Sequence, residues 1–150
     1  MIAVVQRVSE ASVKVDGHTL GQIDQGFMVL LGIAFDDNEE DVAWITKKVC
    51  GLRIFSDEND KLNLDLAQVS GNILLISQFT LQASTKKGNR PSFIEAAKTD
   101  LAVPLYQKTI SSMSKTLGKT IQTGKFGADM KVSLINDGPL TIVLDSKNKH

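Results

Sequence analysis

The sequence is poor in the residues that many enzymes use for covalent and metal chemistry. Cys50 is its only cysteine, which excludes an intramolecular disulfide, a CxxC redox pair and a cysteine-rich zinc site. The two histidines, His18 and His150, lie beside an N-terminal turn and at the end of the chain, so the sequence does not favour a histidine-based triad. The GxSxG elbow, the HExxH helix, the P-loop and the GxGxxG turn are also absent. So little cysteine is typical of a reducing cytosol, and we expect a cytoplasmic location.

Long hydrophobic runs are lacking too. The longest one, Phe27–Phe35, has about half of the roughly 20 residues that a membrane helix needs. The opening segment Met1–Val5 carries no positively charged leader of the kind found in signal peptides. We therefore expect no membrane association.

Neither sign of charge prevails over the whole chain, but its two halves differ. Lys plus Arg and Asp plus Glu each total 17, so there is no overall basic field to hold nucleic acid. Residues 1–75 carry 6 basic and 12 acidic groups, whereas residues 76–150 carry 11 basic and 5 acidic groups. We expect any phosphate-facing surface to lie in the second half.

Length and composition indicate one globular domain spanning residues 1–150. Hydrophobic residues make up 42% of the chain and charged residues 23%, close to the averages for globular proteins. The order of the patterns predicts an α+β fold with a mostly antiparallel, barrel-like β-sheet core and two to three helices. The predicted strands are 2–8, 11–15, 20–23, 26–34, 72–81, 120–123, 130–135 and 140–144.

Helices and turns complete this prediction. The acidic opening 36–41, followed by apolar residues at helical spacing, predicts a capped amphipathic helix. A second helix is predicted to begin near Leu101 and to end at Gly118, because Pro104 is tolerated only near the first turn. The pair Pro91-Ser92 can begin a further helical stretch, and residues 136–139 are expected to join the last two strands as a plain hairpin turn.

Carboxylates are plentiful, but they do not form a recognisable metal site. In residues 36–41 a solvated helix start explains them better than metal ligation, because helix N-termini favour acids. Asp57, Glu58 and Asp60 resemble half of a calcium loop but lack its Gly and terminal Glu, which favours a turn. Cys50 is interpreted as a small buried hydrophobe. We expect no metal and no cofactor.

Three segments have polar or glycine-rich patterns that an ordinary core does not need. Ser77–Leu81 (SQFTL) places two hydroxyls and an amide at the end of an apolar strand, where burial requires hydrogen-bond partners. Thr123–Met130 surrounds Phe126 with two glycines and an alanine, which permits close approach of another group. Asn136–Thr141 (NDGPLT) has the composition of a turn. Each segment alone is also compatible with a strand end or an ordinary turn.

Together, these segments resemble the hallmark motifs of the D-aminoacyl-tRNA deacylases. That family pairs an SQFTL-type strand with an NxGPxT-type loop, here Ser77–Leu81 and Asn136–Thr141. The similarity runs from the opening MIAVVQRV through Gly88–Phe93 (GNRPSF) and Phe126–Met130 (FGADM). One departure is Leu140, where valine is commoner, and it is a conservative change. The resemblance implies a deacylase-type fold and ester hydrolysis.

The resemblance implies that the chain hydrolyses the ester between a D-amino acid and the terminal adenosine of tRNA and rejects the L form. In the family's proposed mechanism the substrate 2′-OH activates or positions water, and backbone N–H groups stabilise the oxyanion. Ser77, Gln78, Phe79 and Thr80 then form the catalytic segment. A hydroxyl nucleophile needs an adjacent base, which the motif lacks, so we expect Thr80 to position the ester rather than attack it.

Chiral selection is implied to depend on a second copy of the chain. In the family the Gly-Pro bond, here Gly138-Pro139, is cis and reaches into the active site of the partner subunit. There it captures the α-amino group and leaves no room for an L side chain, which implies a homodimer with active sites at the subunit interface. Because glycine has no side chain to exclude, glycyl-tRNA is expected to be a substrate as well.

By the same resemblance, the substrate-binding residues are Phe126, Gly127, Ala128 and Met130 for the adenosine, with Asn136, Gly138, Pro139 and Thr141 in the loop. Lys86, Lys87 and Arg90 lie in a polar loop that either meets acceptor-stem phosphates or simply solubilises the surface. Arg7 either braces the Gly-Pro loop or is a charge at the end of an edge strand. The implied partner is the aminoacylated 3′ end of tRNA.

Two other classes of function remain open on the sequence. A non-catalytic RNA-binding or dimeric structural module would explain the charge asymmetry without any use for Ser77 or Thr80. A Ser/Thr hydrolase of small esters would use a hydroxyl nucleophile, but the base is missing. A deacylation assay on D- and L-aminoacyl-tRNA distinguishes the deacylase from the non-catalytic module. Activity on a simple ester without a vicinal hydroxyl would support the Ser/Thr hydrolase.

Overall fold

The structure is a computed structural model that describes residues 1–149. The strands of this range are β1 (Ile2–Val15), β2 (His18–Ile23), β3 (Gly26–Gly32), β4 (Phe55–Ser56), β5 (Leu62–Leu64), β6 (Asn72–Ser77), β7 (Gln122–Thr123) and β8 (Lys131–Asp145). The helices are α1 (Glu39–Gly51), α2 (Thr99–Leu117) and a 3₁₀ helix (Phe79–Gln82). None of the helices in residues 1–149 is both long enough and apolar enough to cross a bilayer.

Strand β1 organises a six-stranded mixed sheet. It pairs antiparallel with β8 over most of its length, with β3 through Ile2–Val8 and with β2 through Ala11–Val15. Strands β3, β6 and β7 continue the sheet as parallel neighbours. The sheet curls until β2 approaches β7, where a Cβ at Gly21 would lie 2.7 Å from the carbonyl oxygen of Thr123. This mostly antiparallel, nearly closed sheet with two α-helices confirms the predicted fold class.

Strands β3 and β6 are covered on both faces, as their continuous apolar runs predict. Successive residues of a strand point to opposite faces of the sheet. Phe27 and Leu75 accordingly pack in the core beneath the helices, whereas Met28 and Leu74 pack in a second core inside the curled sheet. Full burial of each such side chain contributes roughly 1.5–3 kcal/mol, so the two cores hold these strands in register.

The two α-helices pack against each other and cover one face of the sheet. Helix α1 begins after Asn38, whose side chain accepts the N–H of Glu40 in a capping box, which confirms the predicted capped helix. Helix α2 ends at Gly118 in the left-handed conformation (φ 69°), also as predicted. It begins at Thr99, slightly before the predicted start, so Pro104 lies beyond the first turn, inside the helix.

Three predictions of regular structure are wrong. No helix begins at Pro91, because Ser92 exchanges two backbone hydrogen bonds with Ser84 and is held extended. The predicted strand 72–81 stops at Ser77, and the chain turns into the 3₁₀ helix. Residues 136–139 form no hairpin, because the segments on either side belong to one strand, β8, and both pair with β1. Residues 137–140 loop out between two pairs of that ladder, and turn-forming composition does not distinguish such a bulge from a hairpin.

Candidate active site

A pocket of about 270 Å³ opens at the C-terminal ends of the parallel strands β3 and β6. Its walls come from these strand ends, the start of α2, the segment before α2 and the loop before β8. The pocket brings together two of the three segments singled out in the sequence. Ser77, Gln78 and Phe79 form one wall, and residues 126–130 form another.

Gly32 sets the position of the polar segment that follows β6. A Cβ at Gly32 would lie 2.8 Å from Leu81 Cβ and 2.9 Å from Gln78 O. The N–H of Gln78 donates to Leu31 O at 2.8 Å, which fixes the start of the turn against β3. A side chain at position 32 would push this segment away from the pocket, so glycine is required for the observed approach.

The opposite wall is held by an aromatic contact on α2. The rings of Phe126 and Tyr106 lie with their centroids 5.7 Å apart. The Tyr106 hydroxyl donates to Leu75 O at 2.9 Å, and burial raises its pKa to about 12, so it remains a neutral donor. Gly127 adopts φ 77°, a left-handed conformation that turns the chain beside Phe126 and leads it into the pocket lining.

Thr80 does not line the pocket with the rest of its motif. Its side chain is exposed, and its Oγ1 accepts a hydrogen bond from Gln78 Nε2 at 2.5 Å. No histidine, lysine or carboxylate is hydrogen-bonded to this hydroxyl among residues 1–149. The hydroxyl therefore has no adjacent base, as the motif alone indicated.

The lining of the pocket is nearly free of ionisable side chains. Asp129 is the one acidic residue in it, and its side chain is 84% exposed and paired with Lys131 at 3.0 Å. His18 is exposed on β2, away from the lining, and His150 lies outside the described residues. Within residues 1–149, no three His, Cys, Asp or Glu side chains are grouped so that they could hold a metal ion. The described lining thus offers a ligand mainly neutral donors, neutral acceptors and an apolar surface.

The third segment, Asn136–Thr141, does not line this pocket within one chain. Asp137, Gly138 and Pro139 are exposed where the chain loops out from β8. The peptide bond between Gly138 and Pro139 is cis. The loop therefore presents its tip to solvent in the single chain.

Side-chain hydrogen bonds close the base of this loop. Asn136 Oδ1 accepts the N–H of Leu140 at 2.7 Å, and Asn136 Nδ2 donates to Thr141 Oγ1 at 3.1 Å. Arg7 Nε donates to Asp137 O at 2.8 Å, while its Nη1 donates to a carbonyl just before β4 at 2.6 Å. The side-chain hydrogen bonds of Asn136 thus hold the loop in shape, and Thr141 Oγ1 also accepts a hydrogen bond from Gln6 Nε2 of β1 at 3.3 Å.

Several lining residues were not predicted from the sequence: Leu31, Ile33, Ala97 and Ala102. Ala97 N–H donates to Ile33 O at 2.9 Å, so the segment before α2 is laid along the end of β3. These small or apolar side chains carry no motif, and only the fold brings them together. No local pattern identifies them.

A second polar cluster, which we call the amine cluster, consists of the Met1 amine with Asp37, Asp41, Ser146 and Lys147. The Met1 amine donates to Asp37 Oδ1 at 2.6 Å and to Ser146 Oγ at 2.9 Å. Ser146 Oγ donates to Asp41 Oδ1 at 2.6 Å, and Lys147 Nζ donates to Asp41 Oδ2 at 2.9 Å. The interpretation of residues 36–41 as a solvated helix start is therefore wrong for Asp37 and Asp41, which are buried.

The amine cluster lowers the pKa of Asp41. Desolvation by burial acts to raise this pKa, but hydrogen bonds from Ser146, Lys147 and the Asn38 N–H, together with the charge of Lys147, outweigh it. The same contact with Asp41 raises the pKa of Lys147 above its ordinary value. Both groups therefore stay charged near neutral pH. Cys50 behaves as predicted, because it is buried and desolvation raises its pKa to about 11.

Comparison with known proteins gives one consistent result. Residues 4–145 match the family model described as D-Tyr-tRNA(Tyr) deacylase. The chain is 55% identical to a D-aminoacyl-tRNA deacylase of Flavobacterium psychrophilum over 149 residues, which is 99% of each chain. It is 56% identical to one of Bacteroides fragilis over the same share of both chains.

Two solved structures share its fold. One, described as a c-Myc DNA unwinding element binding protein, is 41% identical with a TM-score of 0.92 and covers 97% of this chain and 98% of its own. The other, described as a probable eukaryotic D-amino acid tRNA deacylase, has a TM-score of 0.84 and covers 95% of this chain and 97% of its own. It is only 15% identical, so this likeness shows the fold alone.

Proposed function

The chain belongs to the D-Tyr-tRNA(Tyr) deacylase family, and from that premise we propose how its pocket performs the reaction. The protein is a D-aminoacyl-tRNA deacylase, a hydrolase that cleaves the ester between a D-amino acid and tRNA. We place its reaction in the pocket at the ends of β3 and β6. The tRNA substrate and the family favour a cytoplasmic location.

One observation carries this placement. The segment Ser77–Phe79 and the segment Phe126–Met130 come from distant parts of the chain, yet they face each other across one pocket. The first supplies polar groups at a strand end, and the second supplies an apolar wall. This combination suits a substrate with a flat apolar base at one end and a polar ester at the other.

We assign the adenosine to the wall formed by Phe126, Gly127, Ala128 and Met130. Phe126 is held by Tyr106, so it offers a fixed aromatic surface to the base. The exposed backbone at Gly127 permits close approach of the ribose. The ester then lies beside Ser77 and Phe79 on the opposite wall.

We assign oxyanion stabilisation to backbone N–H groups at the start of the 3₁₀ helix. The N–H groups of Gln78 and Leu81 already have acceptors, Leu31 O and Gln78 O. Phe79 and Thr80 lie between them, and the first N–H groups of a helix have no partner within it. Two adjacent donors of this kind suit a developing negative charge on the ester oxygen.

We assign activation of water to the 2′-OH of the substrate ribose. Among residues 1–149, no buried carboxylate or histidine lines the pocket to act as a general base, whereas the aminoacyl ester carries a vicinal hydroxyl next to the reacting carbon. Thr80 and Gln78 are positioning residues in this scheme. Their mutual hydrogen bond fixes the first turn of the 3₁₀ helix and with it the direction of the N–H groups.

We propose that the active unit is a homodimer in which each chain lends its Gly-Pro loop to the pocket of the other. The loop tip is exposed and lies outside the pocket of its own chain. Strand β8 pairs with β1 along one edge only, and its exposed side chains include Ile135 and Val143. Unpaired edges with apolar side chains are usually covered in native proteins, and a second copy provides the cover.

In this arrangement the partner's Gly138 and Pro139 close the pocket over the amino acid. A D substituent points away from the loop, whereas an L substituent collides with it. Selection therefore works by exclusion rather than by recognition of the D side chain. Broad tolerance of D-amino acids follows, and glycyl-tRNA, which has nothing to exclude, is hydrolysed as well.

A paired assay tests the activity and its chirality. The wild-type protein is incubated with D-Tyr-tRNA and, separately, with L-Tyr-tRNA, and the released amino acid is measured over time. We expect release from the D substrate at enzyme concentrations that leave the L substrate nearly intact. Equal rates on the two substrates would rule out exclusion by the loop.

A complementation assay tests whether the loop acts in the partner's pocket. Ser77→Phe fills the pocket and Gly138→Val distorts the loop, since a Cβ at Gly138 lies 2.8 Å from Leu140 N and its φ is 149°. Each variant alone is expected to be inactive. Refolding them together should restore activity, because a mixed dimer contains one intact pocket facing one intact loop. No recovery in a preparation shown to contain mixed dimers would contradict the exchange of loops between chains.

A non-catalytic nucleic-acid-binding role is a second candidate. It is favoured by the described function of the 41% identical structure as a DNA unwinding element binding protein. The basic second half of the chain would supply its contacts. DNA binding by a protein that releases no D-tyrosine in the paired assay would favour this role over the deacylase.

A further inference from the structure

A groove of about 920 Å³ runs beside the active-site pocket. One of its sides is the loop of residues 83–92, and the other is formed by residues 34–36 and by the end of β8. Lys86, Lys87 and Arg90 line it. The groove thus contains the positive loop of the second half of the chain.

The groove and the pocket share two walls. One is the short antiparallel pairing of residues 33–35 with residues 95–97, where Ile33 and Ala97 face the pocket while the intervening Ala34 faces the groove. The other is the 3₁₀ helix, with Phe79 in the pocket and Leu81 in the groove. The pocket and the groove therefore adjoin each other across single residues of these two segments.

The loop that carries the cations has a fixed base. Ser84 N–H donates to Ser92 O at 2.8 Å, and Ser92 N–H donates to Ser84 O at 2.9 Å. Within the loop, the N–H of Gly88 donates to Thr85 O at 3.3 Å. The three cations are therefore presented on one anchored loop, on one side of the groove.

The charges of the groove are unevenly neutralised. Lys147 is on the opposite side and pairs with Asp41 at 2.9 Å, so its charge is engaged in the amine cluster. Among residues 1–149, no ion pair within 4.0 Å engages Lys86, Lys87 or Arg90. The acidic lining residues, Asp36, Glu95 and Asp145, come from other segments. The loop side of the groove is therefore positive and open to an anion.

We propose that this groove holds the backbone phosphates of the tRNA acceptor end just upstream of the terminal adenosine, with Lys86, Lys87 and Arg90 as the contacting cations. The inference rests on the proposed placement of the adenosine in the adjoining pocket. A polyanionic chain matches these three cations, and the groove adjoins the pocket in which we place the terminal adenosine. Phosphate contacts position a nucleic acid without reading its sequence, so the groove serves all aminoacyl-tRNAs alike.

The test compares two substrates that differ only in the presence of the nucleic-acid chain. D-Tyr-tRNA engages pocket and groove, whereas 3′-O-D-tyrosyl-adenosine engages the pocket alone. The triple variant Lys86→Ala/Lys87→Ala/Arg90→Ala is measured beside Lys47→Ala/Lys61→Ala/Lys115→Ala, which removes the same charge from exposed sites outside the groove. A third protein, Lys86→Arg/Lys87→Arg/Arg90→Lys, keeps the charges in place.

We expect the groove variant to raise the KM for D-Tyr-tRNA about tenfold or more, with kcat and the hydrolysis of tyrosyl-adenosine unchanged. The slope of log KM against log salt should fall by about 2 to 3, since each phosphate contact contributes about 0.7 to 0.9. The charge-keeping variant should match the wild type. An equal rise in KM for the control triple, or an equal loss on tyrosyl-adenosine, would overturn the proposal.

Failure of this proposal is distinguishable from failure of the proposed function. If the wild type hydrolyses both D substrates and the groove variant has an unchanged KM, only the groove assignment is wrong. If the wild type hydrolyses neither substrate, the pocket assignment is wrong and the groove assignment falls with it.

Discussion

The active-site pocket and the amine cluster meet at one short segment, residues 33–37, and they treat charge in opposite ways. Ile33 lines the pocket, whose one acidic residue is largely exposed. Ala34 N–H donates to Asp37 Oδ2 at 2.7 Å, and Asp37 pairs with the Met1 amine where both groups are fully buried. The fold thus buries an ion pair next to a pocket that lacks one.

The difference indicates where buried charge is useful in this protein. Burying an ion pair costs the hydration free energy of both ions, and their mutual attraction offsets this cost only when the geometry is good. The main effect of such a pair is therefore to fix which groups meet. Here the pair joins the Met1 amine to Asp37, and the same amine donates to Ser146, 145 residues away along the chain. Under the proposed mechanism the ester brings its own hydroxyl to the pocket, so no buried charge is needed there. A charge buried in the pocket would have to be desolvated without a partner.

The amine cluster predicts the largest effect. Asp37→Asn leaves the buried Met1 amine without its counterion, so we expect a loss of about 3–5 kcal/mol in the free energy of unfolding. Urea denaturation measures it as a shift in the midpoint. The neighbouring Asp36 is exposed, so Asp36→Asn should change stability by less than about 0.5 kcal/mol. Similar midpoints for the two variants would show that the buried pair does not hold the fold together.

The same cluster shows why part of the molecule is not predictable from local sequence. Helix α1 was predicted because its cap and apolar spacing lie within a few residues of each other. The burial of Asp37 and Asp41 was not, because the Met1 amine and Ser146 approach them from 36 and 105 residues away. Acidic residues at a helix N-terminus give the same sequence pattern whether that N-terminus is exposed to solvent or buried.

The site was predictable to the extent that it depends on motifs. Composition and resemblance point to Ser77–Phe79 and Phe126–Met130, and the structure brings these two segments together. Their conformations were not predictable. Position 32 decides that the chain turns after Ser77, because the glycine lets the following residues pack on β3. That information lies 45 residues away from the turn.

In the active-site pocket, the rate of hydrolysis is expected to depend strongly on the 2′-OH of the substrate. If the 2′-OH replaces a protein base, 3′-O-D-tyrosyl-2′-deoxyadenosine should be hydrolysed about 10²-fold or more slowly than its ribose counterpart. Single-turnover rates with saturating enzyme isolate this effect from binding. An unchanged rate would mean that the protein supplies the base after all.

The amine cluster also predicts a pH dependence of stability. The pKa of Asp41 is lowered from its ordinary 3.8, so its contribution is fully present above that value and is lost as the pH falls through the lower, folded-state pKa. We therefore expect the urea midpoint to decline below about pH 4. Asp41→Asn should make this acid decline less steep. A decline as steep as that of the wild type would assign it to other carboxylates.

A small effect is expected for the hydroxyl of Thr80, which lies beside the pocket and does not line it. Thr80→Val removes the hydrogen bond from Gln78 Nε2 but no nucleophile, so kcat/KM should fall by about tenfold or less. Loss of a covalent nucleophile typically costs on the order of 10⁶-fold. Mass spectrometry after acid quench provides an independent measurement. An acyl group on Thr80 in the wild type would overturn the positioning role.

The smallest effect is expected when the substrate side chain is removed altogether. A pocket that selects by shape rejects an L side chain by collision and has no contact that requires a D side chain. Glycyl-tRNA should therefore be hydrolysed at a rate within about tenfold of D-Tyr-tRNA, since the lost contacts of a partly exposed side chain are modest.

The measurement is the same deacylation assay with glycyl-tRNA, with L-alanyl-tRNA as the matched control, because the two substrates differ by one methyl group on the excluded side. If the glycyl ester is cleaved and the L-alanyl ester is not, the loop excludes even a single methyl group on the Cα. A rigid loop tip requires this result. Glycyl-tRNA that stays intact where D-Tyr-tRNA is cleared would show that the site binds the D side chain directly. Rejection alone would then not account for its chirality.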